Sequence, residues 1–562
     1  MGAAGNAGAK PSALVVFLPA RAGVATEAEL QSIPDLSLAI LSSRQGDYDW
    51  RQMEGDLAAA AHRADPAGSQ GGRLRIERLP GHTAGLSRLR ALVANRPAGE
   101  LVLFLEQGRT RDGHELLWLA TGGLGPGGQT LTSPTTEQRG LIGVVDVVPT
   151  LLAHLHLSVP AGTHGRPIRT DGPLGGSWLR SLKARLEVVY PRRLPALAWL
   201  LAACALLVII ARVTGTGMRR AIRVDALALL FAPTAMLLPA TLESSAGSEY
   251  ALIALFSLAL GALADALLRW PRASLAPTLA AVAAFTADAL AHTQLLIRSL
   301  LGPNPAYGSR FYGIGNELKS ALAVLVLCAV AAALYRTTRS RRAAATMGCA
   351  GAGLALLEGS ARIGAGVGGV VLVCAGTAVA SALLLPGRLR RGWVLAAALA
   401  TPLLGLAALA GLDLATAHGA GHFTGSVLDA GSLSELDKLI ARRYQAAWEE
   451  LGNGLMPLAS ALAAALAVLG VRHRERLLAP VASDPGWLAA LAGGLTAGVV
   501  GTLSEDSGPL LLVSAVAALG CVLLYLHAAP TQRGGDALTP RSPDTRHAER
   551  SRARRPVAAR AR

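Results

Sequence analysis

The stretch "LPALAWLLAACALLVIIAR", Leu194–Arg212, decides the fold class. Between its proline and its arginine it holds no charge, and a helix of about 20 such residues spans the ~30 Å hydrocarbon core of a bilayer. Arg212, Arg219, Arg220 and Arg223 follow, and then the chain turns apolar again. This alternation runs almost to the C-terminus. Eleven spans are expected, near 194–211, 224–242, 250–268, 274–296, 318–335, 343–359, 365–386, 392–412, 455–471, 486–503 and 508–527. They make residues 193–528 an all-α polytopic transmembrane bundle.

Composition agrees. Hydrophobic residues make up 52% of the 562 and charged ones 16%, too apolar for a soluble chain of this length. A net charge of +16 would suit a nucleic-acid partner. Here, however, the arginines sit in short loops and in the tail 529–562, whose "RSPDTRHAERSRARRPVAARAR" alone carries eight. That pattern argues against a nucleic-acid-binding face and for a basic, disordered cytoplasmic tail beside anionic membrane lipids. Cys204, Cys328, Cys349, Cys374 and Cys521 fall inside apolar runs without pairing or ligand spacing, so no disulfide framework and no metal site is expected. No cofactor is expected either, and no Walker-type phosphate loop is visible.

Charge gives an independent topology. Loops after odd-numbered spans carry sixteen basic residues: Arg212, Arg219, Arg220 and Arg223; Arg269 and Arg272; Arg336, Arg339, Arg341 and Arg342; Arg388, Arg390 and Arg391; Arg472, Arg474 and Arg476. Two loops after even-numbered spans, "ESSAGSE" (243–249) and "SEDSG" (504–508), carry only acids. The positive-inside rule then puts the C-terminal tail inside and residues 1–192 outside a bacterial cytoplasmic (inner) membrane. "MGAAGNAGAKPSA" is neither signal peptide nor signal anchor, so this placement implies a start upstream of Met1. The other reading is a cytoplasmic domain and a span count off by one.

Residues 1–192 have a different pattern. Short apolar runs, "ALVVFLP" (13–19), "LSLAILS" (36–42), "LVLFLE" (101–106) and "ELLWLAT" (115–121), alternate with helix-like stretches such as "DWRQMEGDLAAAAHRA" and "GLSRLRALVAN". Strands alternating with helices predict an α/β domain with a mainly parallel sheet.

Within it, "LTSPTTEQRGLIGVVDVVPTLLAHLHLSVPAGTHGRPI" (131–168) resembles the closing part of the alkaline-phosphatase/sulfatase superfamily, with Asp146, Pro149 and Thr150 matching an Asp-x-x-Pro-Thr helix start. Asp146 suits a helix cap and Pro149 a first turn. Members of that superfamily end their first strand on a metal-binding Asp, followed by a Ser or Thr nucleophile, and carry Asp-x-His-Gly-type turns. Here Pro19 and Ala20 stand where the acid belongs, and Glu106, Asp112 and His114 do not form such a turn. Two-metal chemistry needs more ligands than these. The resemblance therefore implies a degenerate domain, a pseudoenzyme without phosphatase or sulfatase activity.

"GSRFYGIGNE" (308–317) looks like the Gly-Ala-Arg-Phe-Tyr-Gly-Ile-Gly-Asn-Glu signature of bacterial polytopic membrane proteins that carry such a domain before their spans. "RIGAGVGG" (362–369) resembles their Gly-Ala-(Asp/Asn)-Val-Gly-Gly element, with Gly366 replacing the polar residue. "SEDSG" resembles Asn-Asp-Ser-Gly, with Glu505 in place of Asn. The resemblance implies an architecture and no reaction.

These stretches, and the long loop from Ala417 to Asn453, all follow even-numbered spans and so share the outer face. Glu317, Asp506 and His422 are the catalytic candidates, and Glu317, Glu505 and Asp506 could serve as general bases or hold a cation. Arg310 and Arg362 are the anion binders, and Tyr312, Asn316, Glu505 and Ser507 complete the substrate-binding set. Plainer roles compete: Asn316 and Glu317 as a helix cap, Arg310 against headgroups, "SEDSG" as a turn. "LSELDKLIARRYQAAWEEL" has a helical apolar stripe suited to the membrane surface. In the fourth span Asp288 and His292 stand four apart, as a mutual pair or as part of a proton path.

Three functions remain open. One is an envelope protein, a transferase if an enzyme at all, acting on a lipid-linked or polyanionic substrate at the outer face. The second is a transporter or flippase with an accessory domain. The third is a non-enzymatic scaffold whose pseudophosphatase domain binds envelope protein partners.

Overall fold

The computed structural model describes residues 11–19, 26–46, 48–65, 73–108, 114–160, 163, 165–215, 217–242, 245–291, 294–308, 311–360, 366–387, 390–415, 441, 444–445, 447–449, 451–452 and 454–530. Its N-terminal strands are β1 (Ser12–Leu18), β2 (Leu36–Ser42), β3 (Arg44–Gln45), β4 (Tyr48–Asp49), β5 (Leu74–Arg78), β6 (Glu100–Glu106), β7 (Leu116–Gly122), β8 (Gln129–Thr132), β9 (Leu141–Gly143) and β10 (Arg169–Pro173). Ala13–Leu18 and Leu101–Leu105 are buried at every position, as a strand covered on both faces requires. With a period of two, Leu14, Val16 and Leu18 enter one core, whereas Ala13, Val15 and Phe17 enter the other. Helices α1 (Glu27–Gln31) and α3 (His82–Ala94) cover the first face, and α2 (Trp50–Ala64) and α4 (Val147–His154) cover the second.

The sheet runs β10-β8-β2-β7-β6-β1-β5, with β9 beside β2. It is mixed, which corrects the expectation of a mainly parallel sheet. β1 is parallel to β5 and β6, and β2 is parallel to β8 and β9. β7 lies antiparallel between β2 and β6, and β10 antiparallel to β8. The physical reason is loop length: only 107–115 separates β6 from β7, too short for the dozen or more residues a parallel crossover needs.

Helix α5 (Gly176–Val213) is 38 residues long and belongs to both halves. Leu179, Leu182 and Leu186 pack into the sheet core, while the far end is the first span. The apolar pattern begins only near Leu194, so the amphipathic lead-in was not legible as part of one helix. Arg185 and Arg192 fasten this neck to Glu249, at 2.6 and 2.8 Å, with Glu249 fully buried.

The remaining helices are α6 (Met218–Ala235), α7 (Ala246–Leu267), α8 (Leu275–Ala291), α9 (Leu295–Arg298), α10 (Asn316–Ala333), α11 (Arg341–Gly359), α12 (Val367–Leu384), α13 (Arg391–Ala415), α14 (Met456–Arg472), α15 (Arg474–Leu477), α16 (Pro485–Ser504) and α17 (Pro509–His527). Nine helices among the described residues are long and apolar enough to cross a membrane, against the eleven spans expected. The other two expected spans are helical but fall short. α14 has 17 residues, and α11 carries Arg341, Arg342 and Glu358. α12 and α16 touch backbone to backbone, where a Cβ on Gly493 would stand 2.5 Å from the Gly376 carbonyl.

Connections after odd-numbered spans gather at one end. Arg223 binds Asp265 (2.6 Å) and the Ala528 carbonyl (3.0 Å), and Asp484 accepts from the Arg336 amide (2.8 Å). The sheet domain is seated at the other end, where Ser42 Oγ donates to the Pro305 carbonyl (2.6 Å) and Gly46 N to the Gly308 carbonyl (3.1 Å).

Candidate functional site

At the domain-bearing end, the N-termini of α10 and α12 meet the C-termini of α11 and α16. Asn316, in the first turn of α10, donates from Nδ2 to Asp506 Oδ1 (2.6 Å) and to Ser507 Oγ (2.8 Å). Its Oδ1 is buried without a hydrogen-bond partner among the described residues. One turn deeper, Lys319 Nζ lies 2.5 Å from Glu505 Oε1, with side-chain exposures of 0% and 5%. Glu358, near the end of α11, is fully buried beside them.

Glycine makes this crowding possible. A Cβ on Gly366 would collide with Lys319 Nζ, and one on Gly368 would stand 2.5 Å from Glu505 Cδ. A Cβ on Gly369 would stand 2.5 Å from Glu358 Oε2 and 3.3 Å from Lys319 Cδ. Gly366, Gly368 and Gly369 of "RIGAGVGG" are therefore the floor over which the ion pair lies. The N-termini of α10 and α12 add positive dipole ends to the same place.

Of the residues singled out in the sequence, Asn316, Glu505, Asp506 and Ser507 come together. Glu317 does not join them: it turns to α5, with Oε1 3.7 Å from Arg193 Nη1. Tyr312 and its neighbour Phe311 are buried in the apolar core that includes Leu14, Trp118 and Leu182, so they dock the sheet domain onto the bundle. Asp288 spends both oxygens on the Leu295 and Leu296 amides (2.8 Å each) at the start of α9. It lines, with Arg139, Gln294 and Tyr312, a cavity of about 250 Å³ between sheet domain and bundle. Arg310, Arg362, His422 and His292 lie outside the described residues, as do Asp112 and most of the 433–451 stretch.

Lys319 and Glu358 were missed. Their only signal was a lysine and a glutamate within expected spans, where ionisable groups are costly and tend to be functional.

Asp146 departs from its expected cap. Its carboxylate accepts from Ser133 Oγ (2.7 Å), Thr135 Oγ1 (2.5 Å), Gly143 N (3.1 Å) and Arg166 N (2.9 Å), and from no amide of α4. Burial pushes its pKa up, and the hydrogen bonds from Thr135, Arg166, Ser133 and Gly143 pull against that. Glu106 is likewise engaged, accepting from Trp118 N at 3.0 Å.

The chain matches no family model, no curated protein and no solved structure.

Proposed function

We propose that this is a multi-pass protein of the cell envelope, acting as a transferase on a lipid-linked or otherwise anionic substrate at the domain-bearing membrane face. One observation carries the reading: Asn316 holds Asp506 and Ser507, from a loop 190 residues away, at a helix end floored by glycine. Helix ends lie at headgroup depth, and two positive helix N-termini favour an anionic group there. Asp506 is exposed and held in place, which suits a base that takes the proton from an acceptor hydroxyl. The charge pattern of the loops supports an outer placement.

Membrane lipids from cells producing the full-length wild type, Asp506→Asn and Glu317→Ala test this. The expected result is an altered lipid profile for Asp506→Asn and a wild-type profile for Glu317→Ala. Full complementation by Asp506→Asn with an unchanged profile would refute the reading.

A further inference from the structure

Glu358 is fully buried, yet neither carboxylate oxygen has a hydrogen-bond partner among the described residues. A buried carboxylate left in that state is expensive, and native structures compensate it with an opposite charge. Among the described residues, few groups face it from neighbouring elements. α10 supplies Lys319, the end of α16 supplies Glu505, and α12 supplies Gly369; Val370 and Leu409 pack at the adjoining Gly359. Among the described residues the one ammonium in the cluster, Lys319 Nζ, lies 2.5 Å from Glu505 Oε1. Among the described residues, two carboxylates face one ammonium, which leaves the cluster one positive charge short. The missing side chain at Gly369 leaves Glu358 Oε2 approachable from α12, since any Cβ there would fill that space.

We propose that the Lys319–Glu505–Glu358 cluster binds one monovalent cation at Glu358, a proton or a sodium-sized alkali ion, exchanged with the domain-bearing face. The ion completes the charge balance of the cluster and holds α11 against α10 and α12. The inference does not depend on any transferase activity, because the cluster is complete without Asp506 or a substrate.

The test uses the full-length protein in lipid nanodiscs without substrate, as wild type, Glu358→Gln and Glu358→Asp. Infrared spectra report a protonated buried carboxyl through its own C=O stretch, and radiolabelled sodium reports alkali binding. If the ion is a proton, the wild type shows a carboxyl band indifferent to sodium and absent from Glu358→Gln. If it is sodium, binding saturates at one ion per chain, and Glu358→Gln loses it. Glu358→Asp keeps either signal, with a displaced band or midpoint, and carries the assignment should the glutamine variant not fold. A wild type with neither signal, or signals unchanged in Glu358→Gln and Glu358→Asp, would overturn the proposal.

Discussion

Lys319 Nζ and Glu505 Oε1 stand 2.5 Å apart, across 186 residues of chain and almost wholly out of solvent. The contact ties α10, one turn below Asn316, to the connection between α16 and α17, which is the loop that presents Asp506 and Ser507. The positions of the polar groups above it therefore depend on a charge pair below it. Removing one partner of a buried pair leaves an uncompensated charge, at a cost of about 3–5 kcal/mol.

Lys319→Met, which leaves Glu505 and Glu358 without their ammonium, should lower the thermal midpoint of the purified protein substantially, and Glu505→Leu, which leaves Lys319 beside Glu358, should lower it less. The double variant should be less destabilised than the two losses added together, since it leaves neither of those charges orphaned. Thermal unfolding in detergent checks this. Simple additivity of the two losses would mean that the pair is not coupled.

Asn316 and Glu317 are neighbours in sequence but separate in role. Asn316→Ala removes two hydrogen bonds in a partly buried setting, one of them to a carboxylate, and should cost about 2–3 kcal/mol. Glu317→Ala loses a 3.7 Å pair with Arg193 in which both side chains are about a quarter exposed, and should cost less than about 1 kcal/mol. Thermal shifts of the two variants, compared side by side, check the order. A larger loss for Glu317→Ala would invert the assignment of the polar site.

That contrast shows what the sequence could convey. "GSRFYGIGNE" stood out as too rich for a connector, and its residues do serve three partners: Phe311 and Tyr312 the sheet core, Asn316 the Asp506 loop, Glu317 the neck helix. That Asn316 and Glu317 serve different partners follows from the ~100° rotation per helical residue, and all the partners lie on elements far away in sequence. The apolar runs located β1, β2, β6 and β7 almost to the residue. Strand direction, however, is set by loop length and sheet order, and apolar patterning says nothing of either. Lys319 and Glu358 stayed hidden because each stands alone in its own apolar run. Only the packing of α10, α11, α12 and α16 makes them a cluster.

The buried Asp146 should leave a pH signature in the sheet domain. Its folded pKa is raised above its unfolded value, so near pH 4 and above the unfolded chain gives up this proton before the native chain does. The native state then binds the extra proton, and this group's contribution to stability falls as pH rises, levelling off once the folded pKa is passed. Thermal midpoints of full-length wild type and Asp146→Asn across a pH series check the sign. The difference, wild type minus variant, should decline with rising pH. A flat difference would mean that burial does not dominate this carboxylate.

The placement of charged loops and sheet domain at opposite ends of the bundle makes the orientation testable with two probes. Thr83, exposed on α3, marks the sheet domain, and Thr338, exposed between α10 and α11, marks the arginine-bearing connections. Each would be changed singly to cysteine in a chain lacking its five native cysteines. A membrane-impermeant maleimide should label Thr83→Cys in intact cells and should label Thr338→Cys only after the membrane is opened. The expectation rests on sixteen basic residues in the loops on the Thr338 side, since such loops are retained inside. Labelling of Thr338→Cys with protection of Thr83→Cys would put the Asn316–Asp506 site on the cytoplasmic face. An outer-face substrate would then be excluded, whereas the cation inference at Glu358 would stand, because the cluster would only exchange its ion with the other compartment.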